Sequence, residues 1–168
     1  MAEGVPKSEC DAILMAIARE KASYAHLAAA AQTSTCPKAK RLYNQLALDE
    51  LRHLLGLVSL MDSFSDDCLT QLDLSFPAGE FSEPLPRNDD HLLGSAMAEE
   101  QQSQAFFGTL AEQVNREELA AFLELLREEE AGHLVRLQSL LYGLEADRPV
   151  VAKWLRSIRR SVPTGSLH

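Results

Sequence analysis

The segment LALDELRHLL at residues 46–55 decides the fold of this 168-residue chain, because a related segment, LREEEAGHLV, returns at residues 126–135. Shifted by 80 residues, the two halves of the chain align without a gap, and both segments carry Glu-x-x-His. In each half, another glutamate lies 30 residues upstream of the glutamate of the pair. The six matching groups are Glu20, Glu50 and His53 in the first half, and Glu100, Glu130 and His133 in the second. An internal repeat of this kind predicts one structural unit used twice.

Apolar residues recur at helical spacing on both sides of the six groups, which predicts amphipathic helices. The expected ranges are about 8–31, 37–63, 88–114 and 115–142. Ser8 and Asn115 have the side chains preferred at helix N-caps, and Pro37 suits a first helical turn. Gly143 could terminate the fourth helix.

The connection between the second and third helices is long and contains three prolines and a glycine within residues 77–86. We predict an ordered but irregular crossover over residues 64–88, so the third helix need not run antiparallel to the second. The predicted fold class is therefore all-α: a four-helix bundle built from two repeated hairpins with a long 2–3 crossover, plus a short C-terminal helix.

Residues three apart on a helix share one face, so each Glu-x-x-His pair can present a carboxylate and an imidazole to one point. When the hairpins pack together, all six groups reach one level of the bundle. Four inward carboxylates would repel one another, and two divalent cations would cancel their charge. Carboxylate and imidazole ligands suit iron, manganese or zinc. The alternative is that the six groups are surface carboxylates and hydrogen-bonded histidines, as we expect for Glu99, Glu128 and Glu129. The apolar residues one turn from each glutamate argue against it.

The spacing resembles the rubrerythrin branch of the ferritin-like di-iron carboxylate superfamily over about residues 8–143. The motifs that carry the resemblance are Ala16-x-x-x-Glu20-x-x-Ser23, Ala47-x-x-Glu50-x-x-His53, Glu100-x-x-Ser103-x-x-Phe106-Phe107 and Glu130-x-x-His133-x-x-x-Leu137. The resemblance implies a ferritin-like bundle that binds two metal ions, with iron expected and manganese or zinc as alternatives. It also implies that Glu20 and Glu100 are terminal ligands, that Glu50 and Glu130 bridge, and that His53 and His133 are the nitrogen ligands. A homodimer and an external electron donor are further implications.

The chain departs from the rubrerythrin pattern in three ways. Residues 148–168 contain no cysteine, so we expect no rubredoxin-like iron site there. Met97 stands where rubrerythrins carry an extra glutamate, so the predicted site is more symmetric, as in bacterioferritin-type centres. The usual tyrosine seven residues after the lone glutamate is replaced by Leu27 and Phe107, and Tyr24 is a candidate substitute near the site. The alternative for Tyr24 is a packed aromatic ring with a solvated hydroxyl.

Composition limits the remaining function classes. The net charge of −9 argues against nucleic-acid binding. No apolar run reaches the length of a membrane span, and the N-terminus lacks the pattern of a secretory signal. The three cysteines have no metal-ligand spacing, which predicts reduced thiols in a cytoplasmic protein and no disulfide framework.

The last 21 residues differ from the rest of the chain. Residues 148–168 contain five basic and no acidic side chains, so we divide the chain into a bundle at 1–147 and a basic helix with a flexible tail at 148–168. The helix could attach to a membrane surface, although docking on the bundle or on a partner chain is favoured. Residues 161–168 resemble the Gly-Ser-Leu tails that load ferritin-like cargo into encapsulin shells, and the alternative is a chance tripeptide.

Three functions fit these observations. The leading one is a di-iron oxidoreductase of rubrerythrin type, whose metal pair is oxidised by peroxide or dioxygen and re-reduced by an external donor. The second is a ferroxidase for iron storage or detoxification. The third is a bundle that a metal pair merely stabilises, without catalysis.

Overall fold

The computed structural model describes residues 6–61, 66–76 and 88–146. It contains α1 at Glu9–Thr33, α2 at Pro37–Met61, α3 at Asp66–Leu69, α4 at Asp89–Ala111 and α5 at Glu117–Ala146. The four long helices pack as two hairpins, and the described ranges contain no strand. The predicted all-α four-helix bundle is therefore confirmed.

Three predicted helix starts follow from local chemistry. The Ser8 hydroxyl accepts a hydrogen bond from the backbone N–H of Asp11 at 3.0 Å and caps α1. The Asn88 side chain accepts one from the N–H of Asp90 at 2.8 Å and caps α4. Pro37 is the first residue of α2, where its missing N–H leaves no helical hydrogen bond unmade.

Three predicted helix boundaries were wrong. α4 ends at Ala111, three residues early, and α5 begins at Glu117, one residue later than an Asn115 cap would require. Gly143 does not terminate α5, which continues to Ala146. A glycine inside a helix costs about 1 kcal/mol relative to alanine, and the flanking helical residues can offset that.

The directions of the helices follow from their contacts. α1 packs against α2 and α4, and α5 packs against α4 and α2. One apolar cluster joins the start of α1 to the ends of α2 and α4 and to the start of α5. α2 and α4 therefore run parallel to each other and antiparallel to α1 and α5, which is the arrangement that the long crossover allows.

The bundle core has two apolar layers. The first contains Ile13, Leu57, Met61, Phe107, Leu119 and Leu123, among others. The second, at the opposite end, contains Leu27, Tyr43, Leu46, Leu92 and Leu137, among others. On each long helix, the predicted ligands lie between the residues of the first layer and those of the second. The polar centre is therefore covered by apolar side chains at both ends.

The crossover contains a feature that the sequence analysis did not predict. Within it, α3 is a single helical turn, and its Cys68 forms a disulfide with Cys10 at the start of α1. Their Cα atoms are 5.6 Å apart, although 58 residues separate them in the chain. The expectation of reduced thiols was therefore wrong for this pair. Cys36 is free and partly buried.

The predicted basic helix and Gly-Ser-Leu tail at 148–168, and the boundary drawn at residue 147, lie outside the described residues. Across the described helices, none combines the length and the hydropathy that a membrane span requires.

Candidate metal centre

Each long helix carries its acidic residue on its buried stripe. Glu20, Glu50, Glu100 and Glu130 are at most 1% exposed. On α1 the buried positions run from Ile17 through Glu20 to Ser23, the spacing of one helix face. The amphipathic pattern that folds the bundle therefore also forces four carboxylates into its interior.

The structure brings all six sequence-predicted residues together. Glu20, Glu50, His53 and Glu130 form one group, and Glu50, Glu100, Glu130 and His133 form a second. In each group the candidate ligand atoms lie within 4.8 Å of one another. Glu50 and Glu130 belong to both groups, so two cations placed there would share these two carboxylates.

The two imidazoles turn the same nitrogen inward. His53 Nδ1 lies 3.5 Å from Glu20 Oε1, 3.6 Å from Glu50 Oε2 and 3.7 Å from Glu130 Oε1. His133 Nδ1 lies 3.1 Å from Glu50 Oε1 and 3.3 Å from Glu100 Oε2. The rings stack nearly parallel, with centroids 5.7 Å apart. Each ring thus faces one lone glutamate and both shared glutamates.

The interior atoms of this cluster lack hydrogen bonds. All eight carboxylate oxygens of the four glutamates are buried without a hydrogen-bond partner, as are His53 Nδ1 and both nitrogens of His133. Buried polar atoms are paired in almost all folded proteins, so an unpaired set of this size needs an explanation. Coordination to cations would supply the missing partners, and carboxylate oxygen with imidazole nitrogen is a donor set for iron, manganese or zinc.

The pKa values of the clustered groups also indicate an excess of buried negative charge. Burial opposes a charge on His133, but its contacts with Glu100, Glu130 and Glu50 outweigh that and raise its pKa to about 12. Burial, together with nearby Glu100 and Glu50, raises the pKa of Glu130 to about 9. Burial and the neighbouring Glu50 likewise raise the pKa of Glu20 well above 4.5.

Glu50 behaves in the opposite sense. Burial would raise its pKa, but His133 and His53 contact the carboxylate and hold the pKa far below 4.5. The pKa of His53 rises because its contact with Glu50 outweighs its own burial. These raised pKa values favour protons on the two histidines, Glu20 and Glu130, and such protons lower the net negative charge of the cluster.

Sequence reasoning missed the carboxylates on the outer side of the histidines. His53 Nε2 lies 3.7 Å from Glu129 Oε2, and His133 Nε2 lies 3.8 Å from Asp49 Oδ2. Each contact joins one hairpin to the other. Asp49 and Glu129 are equivalent in the 80-residue repeat, and that signal could have found them.

A second polar contact joins α1 to α4 beside the lone glutamates. Arg19 donates to Ser103 Oγ at 2.8 Å and to the backbone carbonyl of Glu99 at 3.0 Å, and it forms an ion pair with the Glu99 carboxylate at 3.0 Å. The hydroxyls of Ser23 and Ser103 lie 3.2 Å apart. Glu99 is therefore only partly exposed, in contrast to the surface position that we expected for it.

A cleft of about 370 Å³ between α2 and α5 reaches the centre from outside. Its lining combines apolar side chains with polar ones: Asp49, Arg52, His53, Gly56, Phe122, Leu125, Leu126 and Glu129. A second groove, of about 350 Å³, runs along α5 past His133. Glu129 and Leu125 line both openings.

Tyr24 is partly buried, and its ring packs against Phe76 with centroids 5.0 Å apart. Among the described residues, no hydrogen bond or ring contact joins it to the six clustered groups. A role for Tyr24 beside the metals therefore stays a prediction. Met97 is partly buried against the second apolar layer, so no fifth inward carboxylate occupies its position.

Comparisons with known proteins support the fold. The structure is similar to a two-domain protein from Anabaena variabilis that contains DJ-1/ThiJ/PfpI-like and ferritin-like domains. The match has a TM-score of 0.68 and 17% sequence identity and covers 78% of this chain. This chain spans 38% of that protein's length. It is also similar, with a TM-score of 0.62 and 22% identity, to a hypothetical protein from Pyrococcus furiosus, over 90% of this chain and 98% of that one.

No protein-family model matches the chain, and no curated protein matches it. The bundle has a ferritin-like fold, and its buried carboxylate and histidine groups could hold metal ions.

Proposed function

We propose that this protein is a di-iron oxidoreductase of rubrerythrin type whose metal pair is oxidised by peroxide or dioxygen and re-reduced by a separate electron donor. The observation that carries the proposal is the buried cluster of eleven unpaired oxygen and nitrogen atoms on six residues. Its four carboxylates supply a charge that two divalent cations would neutralise. A pair of Fe(II) ions would provide two electrons, which with two protons reduce one hydrogen peroxide to two waters.

The residues of the chain would divide the work. Glu50 and Glu130, which belong to both groups, would hold the two cations at a fixed separation. Glu20 and Glu100 would each complete one position, together with His53 Nδ1 and His133 Nδ1 respectively.

The surroundings would control access and electron supply. The apolar layers above and below would keep water from the carboxylates, and the cleft lined by His53 would give a small oxidant a route to the centre. The electrons that restore the metal pair would come from a separate donor.

A ferroxidase is the second candidate, and the acidic lining of the cleft favours it. Asp49 and Glu129 flank the route to His53, and carboxylates attract cations rather than neutral oxidants. In that case Fe(II) would be a substrate that enters, is oxidised and leaves.

The deciding experiment is anaerobic loading with Fe(II), followed by rapid mixing with either hydrogen peroxide or dioxygen while the near-ultraviolet absorbance of Fe(III) is recorded. A peroxidase-type enzyme is expected to react much faster with peroxide and to be restored by a reductant. A ferroxidase would consume added Fe(II) over many turnovers. Glu50→Ala should lose the reaction, whereas Glu128→Ala, at an exposed site on α5, should retain it.

We also propose that the protein is a homodimer. Leu48 and Leu55 lie two helical turns apart on α2 and are 54% and 67% exposed, and Val135, the repeat equivalent of Leu55, is 60% exposed. These exposed apolar side chains would be covered in an interface between two chains. Light scattering at micromolar concentration should give twice the mass of the chain, and a monomeric mass would refute the proposal.

Loading into an encapsulin shell through residues 161–168 is a separate prediction. It is tested by fusing residues 158–168 to a fluorescent protein and co-expressing the fusion with an encapsulin. Failure to co-purify with intact shells would remove it.

A further inference from the structure

The outer contacts of the two histidines are equivalent in the repeat and similar in length, at 3.7 and 3.8 Å, but the two carboxylates that make them are held differently. Asp49, next to His133, accepts a hydrogen bond from Arg136 at 3.0 Å and another from Arg52. Glu129, next to His53, has no such partners: among the described residues its only ion pair is with that histidine. The Asp49 side chain is 19% exposed and that of Glu129 is 51% exposed.

The repeat shows where this difference originates. The position equivalent to Arg52 is Gly132, and the position equivalent to Arg136 is Gly56. Two arginines therefore clamp the carboxylate on one side, while two glycines stand at the matching positions on the other. The two halves of the repeat therefore differ at these positions, where glycine offers Glu129 no side chain to donate a hydrogen bond.

The glycine at position 56 also shapes the approach to His53. It lines the cleft with Phe122, whose ring tip lies so close that a Cβ on Gly56 would stand 2.5 Å from it. The cleft is lined by His53, whose side chain is 9% exposed, and the groove along α5 is lined by His133, whose side chain is only 3% exposed. On the groove along α5, by contrast, Arg136 lies beside His133.

We propose that the two cations of the centre exchange unequally: the one beside His53 enters and leaves through the cleft past Glu129, and the one beside His133 is retained. This inference rests on the proposed two-metal site. A carboxylate beside the outer N–H of a ligand histidine orients the ring, and losing such a partner typically costs 10- to 100-fold in metal affinity. Arg52 and Arg136 hold the Asp49 carboxylate 3.8 Å from the outer nitrogen of His133, where its charge restrains the orientation of the ring. Glu129 can swing into solvent, which releases His53 and opens the position behind it.

The test uses Co(II), whose visible absorbance reports binding without oxidation chemistry. The full-length protein is loaded to two Co(II) per chain and mixed with excess chelator. Wild-type protein is expected to release the ions in two phases of equal amplitude whose rates differ at least tenfold. Asp49→Asn should accelerate the slow phase at least tenfold, and Glu129→Gln should leave that slow phase within twofold of its original rate.

Two further variants guard the interpretation. Arg136→Met leaves Asp49 in place but removes its clamp, so it should also accelerate the slow phase even if Asp49→Asn folds poorly. Glu128→Gln is the matched control on the exposed face of α5 and should change neither phase. The inference would be overturned if both ions left in one phase, or if the slow phase were unchanged in both Asp49→Asn and Arg136→Met. Binding of fewer than two Co(II) per chain would instead refute the metal centre itself.

Discussion

Replacing Glu130 with glutamine should make the metal-free protein more stable, by an amount that grows with pH. The side chain is fully buried, and its pKa is raised from 4.5 to about 9. In the unfolded chain the carboxyl ionises near the lower value. Between the two values the folded state keeps a proton that the unfolded state has lost, so stability falls by about 1.4 kcal/mol per pH unit. Glutamine has the same shape and does not titrate.

The expected gain follows from that slope. Near pH 7 it is about 3 kcal/mol, equivalent to a rise in Tm of about 6–12 °C for a chain of this length. Near pH 4.5 the gain should vanish, because both states then hold the proton. With Zn(II) added in excess, wild-type protein should become more stable than the variant. Wild-type protein gains stability by binding the ions, whereas the variant lacks one shared carboxylate and should bind them more weakly.

Thermal unfolding followed by circular dichroism, with chelator and then with Zn(II), measures both effects at several pH values. Glu128→Gln, on the exposed face of the same helix, serves as the control and should follow wild-type protein throughout. A glutamine variant that is less stable than wild type in chelator near pH 7, or a gain that does not grow with pH, would show that Glu130 holds no extra proton. The electrostatic account of the cluster would then fail.

Three further predictions concern the frame around the centre. Gly56→Ala should push the Phe122 ring aside at a cost of about 1–3 kcal/mol, partly offset by about 1 kcal/mol of helix propensity, so the free energy of unfolding should fall by up to about 2 kcal/mol, and a raised Tm would contradict the tight approach. Cys10→Ser should cost about 2–4 kcal/mol through loss of the disulfide, and wild-type protein treated with reductant should match it. Arg19→Leu should cost about 3 kcal/mol because Glu99 loses its partner between α1 and α4, and the double variant with Glu99→Leu should recover part of that.

Most of the fold was predictable because the apolar residues that recur at helical spacing in the sequence are the ones buried in the bundle. The apolar stripe that includes Ile17 and Leu27 predicts α1 to within two residues of its observed ends. The grouping of the six acidic and histidine residues was predictable for a different reason: the repeat places equivalent side chains at one level of the bundle. Both signals are local or periodic, and a single sequence carries them in full.

The features that were missed depend on which side chains meet across helices. The Cys10–Cys68 disulfide joins residues 58 apart with no spacing signal, and it requires the crossover to return to the start of α1. The clamp on Asp49 requires α2 and α5 to be adjacent and Arg136 to adopt one rotamer. Distances of this kind follow from packing, which a linear pattern does not specify.

The ion pair between Arg19 and Glu99 has a consequence for how the chain assembles. The two residues are equivalent in the repeat and face each other across the axis that relates the hairpins. Two identical copies of the first hairpin would bring arginine against arginine, and two copies of the second would bring glutamate against glutamate. If the chain were cut within the crossover, each hairpin should therefore associate with the other hairpin in preference to a second copy of itself. The repeat has diverged so that its two halves are complementary in charge at this position.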